Sequence, residues 1–349
     1  MTNNRVYYPV VAAGLAKMGS ATYTPIHGLQ SIGITTTFNL EQIFEIGQLA
    51  IYENIENIPD VECTLEKVLD GYPLAYHLAT RGSVGDSLAN KQNQRSSLAM
   101  SIFGDTQDSA SGTPVSEVEL SGLYVSSLSY TFPVDGNCTE SLTLVGNNKV
   151  WRLAGYTFSG SLFDNEDEPL ALTSGDGGVQ RRENVIFGTV EVSRDANGMV
   201  AATDATILPI DIPGISSSGT NFPDANGVHP AHVQTITVSV DLGRDQLLEL
   251  GKRGPYFRFA NFPTEVTCAI EVLDSAGDQV DANEDSEANL ADRSIRVFTQ
   301  DGTFLNLGTK NKLASVTWSG ADAAGGNATS TFNFSEFNVL VVSHPQNPG

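Results

Sequence analysis

Residues 34–70 read ITTTFNLEQIFEIGQLAIYENIENIPDVECTLEKVLD, and residues 236–274 read ITVSVDLGRDQLLELGKRGPYFRFANFPTEVTCAIEVLD. With small insertions Ile34 aligns with Ile236, Leu40 with Leu242, and Glu45-Ile46-Gly47 with Glu249-Leu250-Gly251. Tyr52 then matches Tyr256, Pro59 matches Pro263, Cys63 matches Cys268 and Glu66 matches Glu271. A second echo follows in the same order: Ser127-Leu128-Ser129-Tyr130 matches Ser315-Val316-Thr317-Trp318, and Gly136-Asn137-Cys138-Thr139 matches Gly326-Asn327-Ala328-Thr329. Two ordered echoes identify a duplicated unit.

Its pattern is that of strands. Ile34, Thr36, Phe38 and Leu40 alternate with Thr35, Thr37 and Asn39, and Val61, Cys63 and Leu65 alternate with Glu62, Thr64 and Glu66. A period of two puts one set in a core and the other in water. LYVSSLSYTFPV and CTESLTLVG form a hairpin across Asp135-Gly136-Asn137, an Asp-Gly turn. Asn39 and Gln42 suggest a capped helical turn over EQIFEIG that Gly47 closes, and Pro73 opens a short helix, PLAYHLAT. The expected organisation is an extended arm at 1–30, a first β-domain at 31–160, a linker at 161–232 and a second β-domain at 233–349. The polar connection at 81–114 and the arm are the segments expected to reach neighbouring molecules.

The 349 residues carry 41 acidic and 19 basic side chains, a net charge of −22. Phosphate contacts need Lys and Arg, so this balance excludes non-specific nucleic-acid binding. Cys63, Cys138 and Cys268 show no Cys-x-x-Cys spacing, and two of them occupy equivalent positions. They read as buried thiols of a reducing compartment. No signal-peptide layout and no run of eighteen apolar residues is present, so no membrane contact is expected.

Catalytic and ligand-binding motifs are missing. His229 and His232 have no converging cysteine, so a zinc site is not supported. Asp281, Asn283, Asp285, Glu287 and Asp292 imitate a calcium loop, but Ser286 stands where a sharp turn needs glycine. GDGGVQRRE at 175–183 follows no clear strand, and there is no nucleophile elbow. The two sequons at Asn137 and Asn327 read as hairpin turns. The chain is expected to be no enzyme and to hold no cofactor and no metal.

The polar strand faces carry more. Thr35, Thr37, Glu62, Thr64, Glu66, Ser127, Ser129 and Thr131 in the first copy, with Ser141 and Thr143, are short hydroxyls or acids. Thr237, Ser239, Asp241, Thr267, Glu271, Ser315 and Thr317, with Ser319, repeat this in the second. An ordinary wet face mixes both signs of charge. A neutral-to-negative one suits a wall past which a polyanion slides.

These residues resemble a family. FNLEQIFEIGQLAIYENIENIPDVECTLEKVLDGYPLAYHL and GLYVSSLSYTFPVDGNCTESLTLVGNNKVW look like the major tail tube proteins of tailed bacteriophages, directly in the first half and through the duplication in the second. The resemblance implies a mainly β chain: two tandem tail-tube-like β-barrel or sandwich domains with short flanking helices. It implies homo-oligomeric rings stacked into a virion tail tube, assembled in the host cytoplasm, with sheath, tape-measure and baseplate proteins as partners. Double-stranded DNA would pass without specific binding, and the residues named above would line the lumen. With about eight strands per chain at ~4.8 Å spacing and ~40° tilt, two chains close a barrel roughly 32 Å across and three roughly 48 Å. Side chains take about 10 Å, and a B-form duplex needs about 20 Å, so three copies make the smallest workable ring. A baseplate-hub or tail-completion protein of the same build is the alternative within a virion. A carbohydrate-binding β-sandwich is the alternative from another class, and it requires aromatics exposed near loop tips.

Overall fold

The computed structural model describes residues 5–20, 22–82, 85–105, 114–153, 178–188, 232–252, 254–274, 277–278, 280, 291–320 and 326–345. In the first half, β1 (Val11–Lys17) and β2 (Thr24–Pro25) precede β3 (Leu29–Thr37) and the hairpin β4 (Leu40–Phe44) and β5 (Ile51–Glu56). β6 (Asp60–Val68), helices α1 (Ala75–Ala79) and α2 (Leu88–Lys91), and β7 (Ser96–Ile102) follow. β8 (Ser116–Pro133), β9 (Thr139–Gly146) and β10 (Asn148–Leu153) complete that half.

After β11 (Val185–Gly188), the second half opens with β12 (His232–Asp241) and the hairpin β13 (Asp245–Leu247) and β14 (Phe257–Phe259). It continues through β15 (Glu265–Leu273), β16 (Arg296–Thr299), β17 (Phe304–Asn306), β18 (Lys312–Ser319), β19 (Thr329–Phe337) and β20 (Val341–Ser343).

The chain is mainly β, and its two halves share one antiparallel sheet. The order is β3-β6-β9-β8 from the first half, then β12-β15-β19-β18 from the second, with β8 paired to β12. Each half therefore contributes four strands in the same order, joined head to tail. Strand β8 belongs to two sheets. Its first residues pair with β7 and β10, and after Gly122, at φ +70, it crosses to pair with β9 and β12. A left-handed residue at such a crossing costs a glycine little and any other residue more.

One apolar cluster runs under the whole sheet, from Val61, Cys63 and Leu65 through Leu128 and Tyr130 to Ile270, Phe332 and Phe334. The cover differs between halves. In the first it is α1, packed on β1, β7, β8 and β9; in the second it is the small sheet β11-β16-β17-β20. The three cysteines are free and buried, and burial pushes each thiol up to about 12.

Several expectations change. The arm at 1–30 contains β1, whose Ala13 and Leu15 are core residues and whose backbone pairs with β7. The polar connection at 81–114 supplies α2 and β7, while residues 83–84 and 106–113 lie outside the described residues. Small side chains mislead here: Ala, Gly and Ser look like loop composition yet suit a strand that a helix covers closely. The helical turn at 41–47 is strand β4, because cross-strand pairing with β5 overrides weak local capping. Within the linker at 161–232 only 178–188 and His232 are described, and β11 there pairs with β16.

Buried charge holds the first half's cover. Lys67 is fully buried and donates to Asp70 Oδ1 at 2.6 Å and to the His27 carbonyl at 2.7 Å. Glu140, also fully buried, accepts from the Ala75 and Tyr76 amides at 2.7 and 3.1 Å and from the Tyr130 hydroxyl at 2.8 Å. His77 joins α1 to the second half: its Nε2 lies 3.0 Å from the Val342 carbonyl.

Burial, helped by the Lys91 charge, pushes His77 down to about 3, and burial does the same to His344. Both fold neutral, whereas an unfolded histidine takes a proton near pH 6.5. Their contribution to stability is therefore complete above that value and is lost as pH falls toward 3. Each histidine should cost about 2 kcal/mol between pH 7 and pH 5. Burial raises Glu140, which opposes this, because the folded state then takes up a proton before the unfolded state does. A net loss is expected, smaller than the about 4 kcal/mol that the two histidines would give alone, read as a fall in the urea midpoint between the two pH values. An unchanged midpoint would mean that the histidines are not buried neutral.

Candidate assembly interface

The face of the eight-stranded sheet opposite the core is built from the strands' own alternation. Along β6 the pattern puts Val61, Cys63 and Leu65 in the core and Glu62, Thr64 and Glu66 in water. The same parity holds in every strand, so Thr35 and Thr37, Ser127, Ser129 and Thr131, Thr237, Ser239 and Asp241, Thr267 and Glu271, and Ser315 and Thr317 all lie on that one face. One row crosses the sheet by direct pairing: Ser31, Glu66, Ser141, Ser129, Ser239, Thr267, Ser335 and Lys312. Ser239 and Thr267 hydroxyls are 2.7 Å apart. The acids on this face are Asp60, Glu62, Glu66, Asp241, Glu265 and Glu271. Lys312 stands against them at the sheet's far edge. What the sequence groups by pattern, the fold places on a single surface.

The pairings also define the repeat more closely than alignment does. Ile34 pairs with Cys63, while Cys268 pairs with Val238. Ile34 therefore corresponds to Val238, not to Ile236, and Phe38 corresponds to Leu242. The slip is two residues, which leaves every side chain on its own face, so the alternating pattern could not detect it. Elsewhere the alignment stands. Leu128 faces Leu142 as Val316 faces Phe332, and a register shift falls at Val125/Ser127 in β8 and at Leu313/Ser315 in β18. The hairpins match as well: Gln42 pairs with Asn54 as Gln246 pairs with Arg258.

With that correspondence the joint between the halves can be compared with the sheet's two outer edges. At the joint, Leu242 is 1% exposed and Tyr130 is 0% exposed. Their counterparts on the free edges are Phe38, 69% exposed, and Trp318, 53% exposed. Large apolar residues thus lie bare at the two places where the internal copy buries them. Trp318 and Trp151 both sit in strands rather than at loop tips.

Hairpin β13–β14 is seated on the first half. Asp60 accepts from Arg258 at 2.5 Å and Gln246 at 2.7 Å, together with Asn39 at 2.9 Å. Burial alone would raise this carboxyl, but the bonds from Asn39 and Arg258 outweigh it and hold it below the usual range. Phe257 meets Tyr124 edge-on at 5.3 Å, and Arg244 donates to the Val125 carbonyl at 2.7 Å. Hairpin β4–β5, its counterpart, exposes Leu40, Phe44, Ile46, Leu49, Ile51 and Tyr52. Sequence reasoning missed this hairpin; the signal was its run of apolar residues on both strands, which no core-facing helix or half-buried strand would need.

Among the described residues no group of three or more His, Cys, Asp or Glu could hold a metal, and His229 and residues 281–290 lie outside them. No helix of the described residues is long and apolar enough to cross a membrane.

No family model matches the chain, and neither does any curated protein. Solved structures of contractile injection systems do. A chain of the anti-feeding prophage cap (the AFP tube terminating cap) is 12% identical with a TM-score of 0.33, over 44% of this chain and 95% of that one. A chain of the anti-feeding prophage baseplate is 12% identical with a TM-score of 0.33, over 45% of this chain and 100% of its own. A chain of the PVC sheath-tube complex, in the extended state of an extracellular contractile injection system, is 10% identical with a TM-score of 0.32, over 44% and 94%.

Proposed function

We propose that this chain is a structural subunit of a phage-tail-like tube, closing head to tail into rings whose shared sheet lines a bore. The observation that carries the reading is the pair of bare edges. Phe38 on the β3 edge and Trp318 on β18 are the counterparts of Leu242 and Tyr130, both of which are buried at the β8–β12 joint. A head-to-tail joint between unlike edges must repeat until it closes or runs on as a filament.

Transferring the internal register gives the joint between copies: Ser315 opposite Thr37, Thr317 opposite Thr35, and Ser319 opposite Gly33 of the next copy. Eight strands per chain and three chains give 24 strands and a backbone diameter of roughly 48 Å. The hydroxyl-and-acid face is then the inner wall, and DNA would pass it without a cationic hold.

The two hairpins are related by the same repeat and leave the same end of the sheet, so each ring carries fully exposed apolar tips, Ile46, Leu49 and Leu250, on one rim. A rim of this kind suits a ring docked on another ring. It suits equally a ring that ends the tube at a cap or baseplate, and copy number per particle separates the two uses. Electron microscopy of the purified protein should show rings of three copies with a central hole. A protein that stays monomeric at high concentration would sink the proposal.

A further inference from the structure

We infer that hairpin β4–β5 of one copy seats across the ends of β15, β18 and β19 of the preceding copy, and that an ion pair between Glu53 and Lys312 of the two copies holds it there. The inference rests on the ring reading and adds to it a residue-level contact and its chemistry.

The chain carries its own example of this seating. Hairpin β13–β14 lies over the ends of β6, β8 and β9, with Phe257 against Tyr124 and Arg258 and Gln246 on Asp60. In the repeat, Phe257 corresponds to Glu53, since Leu247 pairs with Phe257 as Ile43 pairs with Glu53. Tyr124 corresponds to Lys312, since Tyr124 pairs with Val145 as Lys312 pairs with Ser335. An aromatic pair at the internal joint thus becomes an acid and a base at the joint between copies. Both members change together, and they change to opposite charges. A random pair of surface positions in a chain with twice as many acids as bases would seldom do so. Lys312 is exposed, and among the described residues its ion-pair partner is Asp292 at 3.6 Å, a loose contact that leaves its charge accessible.

The rest of the seat agrees. Phe337, which pairs with Glu265, and Val339 just beyond it lie exposed at the end of β19, within the seat that a docked hairpin would cover. The Asn338 side chain accepts from the Thr264 amide at 2.8 Å and so ties down the start of β15, as Asn147 ties down Pro59 in the first half. One difference is telling. Arg258 corresponds to Asn54, and Asp60 corresponds to Glu265, so the joint between copies lacks the guanidinium that locks the internal one. The internal joint is built to stay closed. The one between copies is built to form and part, with Glu53–Lys312 as its charged contact.

A charge swap tests this. Glu53→Lys and Lys312→Glu, each alone, turn an attraction into a repulsion and should raise the concentration needed for ring assembly by about 10-fold per joint. The double variant, Glu53→Lys with Lys312→Glu, should return assembly to within about 2-fold of the parent. Sedimentation at low and high salt reads the effect, and added salt should weaken the parent and the double variant alike. If the parent forms rings but the singles assemble as it does, or the double is no better than the singles, the inference is overturned. If the parent forms no ring at all, the failure belongs to the ring reading instead.

Discussion

Thr36→Pro should leave the chain folded and abolish ring assembly. Along β12 the Leu242 amide donates to the Ser126 carbonyl of β8 at 2.8 Å, so alternate amides from Leu242 backward point at that neighbour. Transferred to β3, the amides of Phe38, Thr36 and Ile34 point away from β6, into solvent in the single chain and toward the next copy in a ring. Proline at Thr36 removes one of these donors and puts its ring in the way of an incoming strand. An edge strand tolerates this in the monomer, since among the described residues β3 pairs with β6 alone; the bond that the Thr36 hydroxyl accepts from Lys149 is lost with it, at modest cost. The cost falls on the joint: about 2–3 kcal/mol from a lost ladder bond and the clash, or roughly 100-fold in its affinity. Every joint of the ring bears it. Thr35→Pro, whose amide points at β6, should instead destabilise the fold itself. Size-exclusion chromatography with a urea midpoint separates the two outcomes. Rings that persist in folded Thr36→Pro would rule out β3 as the closing edge.

The second large effect is expected at Glu140. Its carboxyl is fully buried and accepts from three donors, the Ala75 and Tyr76 amides and the Tyr130 hydroxyl. Burial raises its pKa, and the bonds to Tyr76 and Tyr130 pull the other way. Glu140→Ala leaves all three donors buried without an acceptor, at about 1–3 kcal/mol each, and opens a cavity. A loss of about 5 kcal/mol follows, comparable with the whole stability of a small domain. Tyr130→Phe removes one donor and should cost about 1 kcal/mol. The contrast between these two variants in urea midpoint checks the assignment. Equal, small losses would mean that Glu140 is not what holds the start of α1.

Much of this was legible in the sequence. The alternation in DVECTLEKV and its partner EVTCAIEVL fixes which side chains meet the core, because a strand has no other way to sort residues than by parity. The echo at 127–139 and 315–329 marks the duplication, and the Asp-Gly turn marks the hairpin between β8 and β9. Parity also limits what could be read. A shift of two residues changes partners but not faces, so Ile34 aligned with Ile236 by letters although the fold sets it beside Val238's place. The strands β1 and β7 were hidden for a different reason. Their Ala, Gly and Ser side chains carry little hydropathy signal, and only the helix packed on them explains why small residues are wanted there.

From its sequence alone the chain is a doubled β-unit with an apolar side, a hydroxyl-and-acid side and about twice as many acidic as basic residues. Those properties depend on the order of residue types along each strand, which a sequence states outright. How the two units join was settled only in three dimensions. The pairing of β8 with β12 is a contact between strands about a hundred residues apart, and no local pattern encodes it. That pairing alone tells which edges remain bare, that Phe38 and Trp318 are open where Leu242 and Tyr130 are covered, and that an aromatic contact inside the chain has an acid and a base as its counterpart outside it.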